Sequence, residues 1–250
     1  MDDPVWVKLC GIRSAADVRA ALGARPDAVG FICDVTHISE DALTPDRARE
    51  LSRLVAESTP DPVQRVLVTH QQDPRKIIRL AEHIGVETIQ VHGEVSPQAL
   101  AEVYQLRGDH EIVRAVHVTD LPTALDTIAE IIGDCDAVLL DSRTDDRLGG
   151  TGQVHDWNVS AKIVAELGAS KRVTLAGGLD QHNVTAAIDQ VRPYGVDVNT
   201  GVDDRRGDKS ATACTAFAAA ARTAATDLPA RSRREPADRR TQRLLQSACS

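Results

Sequence analysis

Aromatic side chains are scarce: two Phe, two Trp and two Tyr in 250 residues. A surface that stacks the bases of single-stranded nucleic acid needs several such rings, so that class is disfavoured. No apolar run approaches the length of a membrane span, and the start, MDDPVWVKLCG, carries acid where a secretion signal carries base. No CxxC pair occurs and no Cys/His cluster has metal-ligand spacing. Cys10, Cys33, Cys135, Cys214 and Cys249 are scattered and odd in number, the usage expected of reduced thiols in a cytoplasmic protein. Excess positive charge is also missing. The formal charge is −8 overall; the segment 226–250 holds six arginines against three acids, a net +3, which leaves −11 for residues 1–225. An acidic body gives no general electrostatic footprint for nucleic acid. Any anionic ligand must therefore be held by local dipoles and a few groups.

What the chain does have is a regular alternation of short apolar runs and helix signals. Ala, Val, Leu and Ile supply the core. The patterning predicts strands over 5–10, 28–32, 65–69, 88–92, 112–117, 137–141, 173–176 and 195–199. Helices follow each of them. Ser14 with Asp17 is an acidic variant of the capping box, and Thr44-Pro45-Asp46, Asp73-Pro74 and Ser96-Pro97 are N-cap and N1 pairs. The later helices are expected over 121–132, 157–167, 182–191 and 210–225. Eight β-then-α units with short connections favour a (β/α)8 TIM barrel, one α/β domain over residues 1–225. Residues 226–250, bearing Arg, Ser and Pro with little apolar content, read as a disordered tail whose clustered arginines are a solvated segment rather than a partner surface.

The chain is organised around 137–157, AVLLDSRTDDRLGGTGQVHDW. The run 137–140 suits a parallel strand covered on both faces, and Asp141 follows it. Chemistry in such a fold sits at the carboxyl ends of strands. A carboxylate after four buried apolar residues needs a partner or a function. The loop Gly149-Gly150-Thr151-Gly152 exposes backbone N–H groups to an anion, or is merely a turn. Cys10 ends the first strand; its local sequence fits a structural core thiol as well as a reactive one. Ala176-Gly177-Gly178-Leu179 and Asn199-Thr200-Gly201-Val202 follow strands seven and eight, where barrels commonly bind phosphate through backbone N–H groups. Together they favour a phosphorylated ligand. His37, His70, His92, His117 and His155 suggest pocket lining more than metal binding, since no two lie at i,i+4 on one helix. Strand alternation puts Lys8 on the side of Cys10 and Asp197 on the side of Asn199, so Lys8 and Asp197 are expected to pair inside the barrel. The rival role for Lys8 is a Schiff-base nucleophile.

These motifs, in this order, resemble the phosphoribosylanthranilate isomerase family of the tryptophan pathway. The resemblance covers residues 5 to about 210 and rests on Val7-Lys8-Leu9-Cys10-Gly11-Ile12, Ile89-Gln90-Val91-His92-Gly93, Leu139-Leu140-Asp141-Ser142, Gly149-Gly150-Thr151-Gly152, His155-Asp156-Trp157, Leu175-Ala176-Gly177-Gly178-Leu179 and Gly195-Val196-Asp197-Val198-Asn199-Thr200-Gly201-Val202. It implies an Amadori rearrangement of a phosphoribosylated arylamine to the 1-amino-1-deoxyketose, with no metal and no cofactor. It implies Cys10 as general base at C2 and Asp141 as general acid at the ring oxygen. Gly177, Gly178, Thr200 and Gly201 would then hold the phosphate, and His92, Gly150, Thr151, Gly152, His37 and His70 would line the pocket. For these roles burial should raise the pKa of Asp141, and the surroundings of Cys10 should lower its own. The only partner implied is the small-molecule phosphoribosylamine, with no nucleic acid and no membrane, and the family includes monomers and homodimers.

The chain departs from the family after the second strand. Ser39-Glu40-Asp41 stands where Ser-Pro-Arg is usual, and an acid there should repel the carboxylate that the arginine grips. Thr69-His70 stands where Val-Asn is frequent, Gln153 replaces a Lys and His155 a Phe. Two further readings follow: the same chemistry on a different amine in a specialised pathway, or Arg47 or His37 taking over the carboxylate. The histidine-pathway phosphoribosyl isomerase, with the same chemistry, would carry Asp where Cys10 stands. A phosphosugar-binding barrel without turnover is the alternative from another class.

Overall fold

The fold was described from a computed structural model, which describes residues 5–36, 40–144, 147–148, 156–168 and 170–226. Eight parallel strands form the barrel, with a two-residue strand, Ala42–Leu43, added parallel to the end of the second: β1 Trp6–Leu9, β2 Ala28–Cys33, β3 Gln64–Thr69, β4 Thr88–Val91, β5 Glu111–Val118, β6 Ala137–Thr144, β7 Arg172–Leu175 and β8 Gly195–Val198. Each pairs with its sequence neighbours, and β1 pairs with both β2 and β8, which closes the barrel. Helices follow the strands: α1 Ala15–Gly23, α2 Pro45–Ser58, α3 Pro74–Ile84, α4 Pro97–Leu106, α5 Leu121–Ile131, α6 Trp157–Leu167, α7 Val184–Val191 and α8 Ala211–Thr226. The expected (β/α)8 barrel is the fold.

The helix starts are where the local sequence puts them, and for its reasons. Ser14 Oγ accepts from the Asp17 N–H at 3.1 Å while Asp17 Oδ2 accepts from the Ser14 N–H at 2.9 Å, a complete capping box. Thr44, Asp73, Ser96 and Asp120 each cap a helix whose first turn carries Pro. Several boundaries differ from the sequence expectation. The fifth helix ends at Ile131 in a 3-10 turn, Ile132–Asp134. The seventh starts at Val184 because Asp180 Oδ1 takes the His182 and Asn183 N–H groups into a turn of their own. β6 continues past Asp141 to Thr144, because Arg143 and Thr144 pair antiparallel with a two-residue strand, Arg147–Leu148. Thr226 is still helical, and the tail over 227–250 lies outside the described residues. No helix among the described residues is long and apolar enough to cross a membrane.

The main core lies between the sheet and the helices and includes Leu9, Phe31, Leu67, Ile89, Ile112, Leu140, Leu175 and Phe217. Inside the barrel, small apolar side chains such as Ala28, Val66 and Ala115 leave room for a polar layer. Gly30 is the opening for it: a Cβ there would stand 2.6 Å from Cys10 Sγ and 3.0 Å from Lys8 Cε. Lys8 thus reaches across the interior, where Nζ meets Asp197 Oδ2 at 2.7 Å with both side chains buried. That is the pair expected from alternation. Burial works to lower the Lys8 pKa, but Asp197 and Cys10 together outweigh it and the net shift is upward, so the ammonium persists.

Candidate active site

Cys10 lies directly after β1, buried, with its N–H on the Val198 carbonyl at 2.8 Å. Its thiol was expected to be activated. Burial instead pushes its pKa up to about 11, because removing the thiolate from water costs more than the Lys8 charge returns, and Asp197 opposes ionisation further.

Asp141 is buried, and each carboxylate oxygen has a polar partner. Oδ1 accepts from the Ser142 N–H at 2.8 Å, and Oδ2 lies 3.2 Å from His92 Nε2. The sequence expectation of a raised pKa is overturned. Burial does push it up, but the His92 hydrogen bond, the positive edges of His92 and His117 and the Ser142 N–H outweigh it, and the net shift is downward.

His117 was expected only as one of the pocket-lining histidines. The register of β5 against β6 sets it directly opposite Asp141. Its ring stands edge-on to His92 at 5.4 Å, and His70, buried, stacks on the other side of His92 at 5.6 Å. Ligand atoms of His92, His117 and Asp141 lie within 4.8 Å of one another, so this trio has the composition and spacing of a metal-capable group. Linear spacing of histidines concealed it, because three adjacent strands supply one residue each.

Gly177 and Gly178 follow β7 in the left-handed region, at φ +83° and +67°. A Cβ on Gly177 would fall 2.4 Å from Ser142 Oγ and 2.8 Å from Asp141 Oδ1, so this glycine lets the seventh loop close over the acid. Thr200 and Gly201 form a 3-10 turn, Thr200–Val202, and Gly201 backs onto the Leu179 carbonyl. The two loops expected to share a phosphate are therefore in contact. At the start of α7 the N-cap residue Asn183 gives no side-chain bond to the helix; its Nδ2 donates to the Gly178 carbonyl instead. His37, Gly150, Thr151 and Gly152 lie outside the described residues, as do Ser39, Gln153 and His155.

Asp41 does not stand as a bare charge. Its Oδ2 accepts from Asn199 Nδ2 at 2.9 Å, and its Oδ1 lies 3.6 Å from Arg13 Nε. Arg13 also donates to the Glu40 and Gly207 carbonyls and pairs with Asp208 at 3.1 Å, joining the first, second and eighth loops. Asn199 Oδ1 in turn accepts from buried Lys209 Nζ at 2.7 Å. Arg47 pairs with Glu50 along the exposed face of α2. Sequence reasoning missed Arg13 and Lys209, since their partners lie in loops far apart along the chain. It also missed Gln90, which alternation does place on the inner side of β4 with His92.

Comparison with known proteins agrees with this arrangement. The model of the family described as N-(5'-phosphoribosyl)anthranilate (PRA) isomerase matches residues 7–220. The isomerase of that name from Natronomonas pharaonis is 40% identical over 215 residues, covering 86% of this chain and 97% of the relative. That from Haloferax volcanii is 39% identical, covering 87% and 93%. Among solved structures, phosphoribosyl anthranilate isomerase from Thermotoga maritima superposes with TM-score 0.74 at 28% identity, covering 88% of this chain and 99% of that one. A structure of the isomerase in complex with reduced 1-(o-carboxyphenylamino)-1-deoxyribulose 5-phosphate gives TM-score 0.71 at 27% identity over the same shares. By its fold, its motifs and these relatives, the chain belongs to the N-(5'-phosphoribosyl)anthranilate isomerase family.

Proposed function

We propose that this chain converts N-(5'-phosphoribosyl)anthranilate, an aminoaldose, into 1-(o-carboxyphenylamino)-1-deoxyribulose 5-phosphate, the isomerase step of the tryptophan pathway. The observation that carries the reading is the pairing, at one barrel mouth, of a buried thiol beside the Lys8 ammonium with a buried carboxyl that has a polar partner on each oxygen.

Asp141 gives its proton to the furanose ring oxygen. The C1–O bond breaks toward that oxygen, and the amine lone pair forms a protonated Schiff base at C1. The Cys10 thiolate then takes the proton from C2. The C–H electron pair becomes the C1–C2 double bond, and the imine electrons return to nitrogen. The resulting enolamine loses the proton of its 2-hydroxyl and gains one at C1, which gives the ketone. Asp141 has lost one proton and Cys10 has gained one, so exchange with solvent restores the pair. Every step is a proton transfer, the work of positioned acids and bases.

Asp141 must carry a proton when it acts. The substrate brings a phosphate and a carboxylate into the site, and negative charge nearby favours the protonated carboxyl. The backbone at Gly177, Gly178, Thr200 and Gly201 is assigned to the phosphate. His92, His70, His37 and the segment Gly150-Thr151-Gly152 are assigned to the pocket wall. The thiols of Cys10, Cys33, Cys135 and Cys214 are free and buried, which supports a cytoplasmic setting.

The test is turnover of phosphoribosylanthranilate generated in situ, followed by loss of its fluorescence. Cys10→Ser and Asp141→Asn should each lower kcat by about 10²- to 10⁴-fold with Tm nearly unchanged. Turnover surviving both substitutions would sink the assignment. A wild-type protein that is stabilised by a phosphosugar analogue but turns nothing over would point to a different amine.

A further inference from the structure

A line of hydrogen-bonded side chains crosses the barrel from Asp197 to Asp141. Lys8 Nζ donates to Asp197 Oδ2 and to Gln90 Oε1, each at 2.7 Å. Gln90 Nε2 faces His92 Nδ1 at 3.0 Å. His92 Nε2 faces Asp141 Oδ2 at 3.2 Å. All five side chains are buried.

Each link constrains the next. An ammonium group has donors and no acceptor, so Lys8 faces the oxygen of the Gln90 amide and never its nitrogen. The amide NH2, a donor only, is then turned to His92. The ring nitrogen it meets, Nδ1, has to be the accepting, unprotonated one. The hydrogen of that imidazole sits on Nε2, where it points at Asp141 Oδ2.

We propose that Gln90 is a positioning residue: oriented by Lys8, it holds His92 in the Nε2–H tautomer and so keeps a fixed donor on Asp141. This deepens the reading of Asp141 as the acid and rests on it. With the Ser142 N–H on Oδ1 and the His92 N–H on Oδ2, a proton arriving on Asp141 takes one of the remaining lone pairs. His92 cannot accept that proton, because Nε2 already carries one and Nδ1 faces the Gln90 NH2. The same buried layer that neutralises Asp197 thereby sets the proton inventory next to Asp141.

The test is a long-range ¹H–¹⁵N correlation spectrum of the full chain labelled at histidine. His92 is assigned by the signal lost in His92→Phe. The expected wild-type spectrum shows an unprotonated Nδ1 and a protonated Nε2 on His92. Gln90→Glu replaces the amide nitrogen by an acceptor, so His92 Nδ1 should become protonated. In parallel, kcat should fall about 10- to 100-fold, with KM within about twofold. A wild-type His92 protonated on Nδ1 overturns the proposal whether or not the variant folds. So does a Gln90→Glu protein that moves the tautomer and keeps its kcat. The spectrum needs no substrate, so failure of the isomerase reading would appear as missing wild-type turnover with the tautomer still as described.

Discussion

Asn199 Nδ2 donates to Asp41 Oδ2 at 2.9 Å, tying the end of the eighth strand to the loop after the second. Arg13 sits on the other oxygen at 3.6 Å. The acid that stands where the family usually has an arginine is thus held by a cation and an amide. Its repulsion of an incoming carboxylate is much reduced.

Arg13→Ala should therefore be felt in substrate binding. Removing the cation leaves Asp41 a partly buried negative charge beside the mouth. KM for phosphoribosylanthranilate should rise about tenfold, roughly 1.4 kcal/mol, with kcat within about twofold. Steady-state kinetics checks this. A fall in kcat at constant KM would show that Arg13 acts on the chemistry instead.

Lys8→Met should destabilise the fold strongly. It leaves the Asp197 carboxylate buried without its counter-ion, at a cost of about 3–5 kcal/mol, and should lower Tm by roughly 10 °C. Adding Asp197→Leu removes the stranded charge and should recover much of the loss, which thermal melting of the single and double variants would show. An unchanged Tm in the single variant would refute the pairing.

The pH profile of kcat/KM should be flat across neutrality. The free enzyme holds Cys10 as a thiol, with its pKa about 11, and Asp141 as a carboxylate held below the usual range. The reactive form needs both in the opposite state. Between the two pKa values each unit of pH gains as much thiolate as it loses protonated acid, so the product is constant. The profile should be level from about pH 5 to about pH 9. A limb near neutrality in wild type would contradict this resting state.

Alkaline pH should unfold the protein early. Burial raises Cys10, Cys135 and Cys214 to about 11 and Cys33 to about 12. An unfolded cysteine titrates near about 8.5, so between there and the folded values the unfolded chain releases protons that the folded one keeps. The stability these thiols support is complete below about pH 8.5 and drains away as pH rises toward the folded values. Tm should hold level to about pH 8.5 and then drop steeply. A level Tm to pH about 11 would show that the thiols ionise without cost.

Much of this was legible in the linear chain. Apolar runs and Pro-bearing caps located all eight units, and alternation alone paired Lys8 with Asp197, since both depend on local periodicity and adjacent strands. The grouping of His92, His117 and Asp141 was not, because it needs the register of three strands. The direction of the Asp141 shift was misjudged for the same reason, and that of Cys10 because its burial outweighs the neighbouring Lys8 charge. Burial of Asp141 could be foreseen; the two imidazoles that outweigh it could not. Nor could the partners of Asp41, which come from the ends of the first and eighth units.

The Lys8–Asp197 pair joins the first strand to the last, 189 positions apart along the chain. Neither group can leave water until the other arrives. During synthesis the first strand must wait, solvated, until the eighth has emerged, and the charge pair desolvates only when that strand closes the ring. The contact that anchors the polar layer is thus among the last to form, so assembly of the active barrel is tied to completion of the fold rather than to any early intermediate.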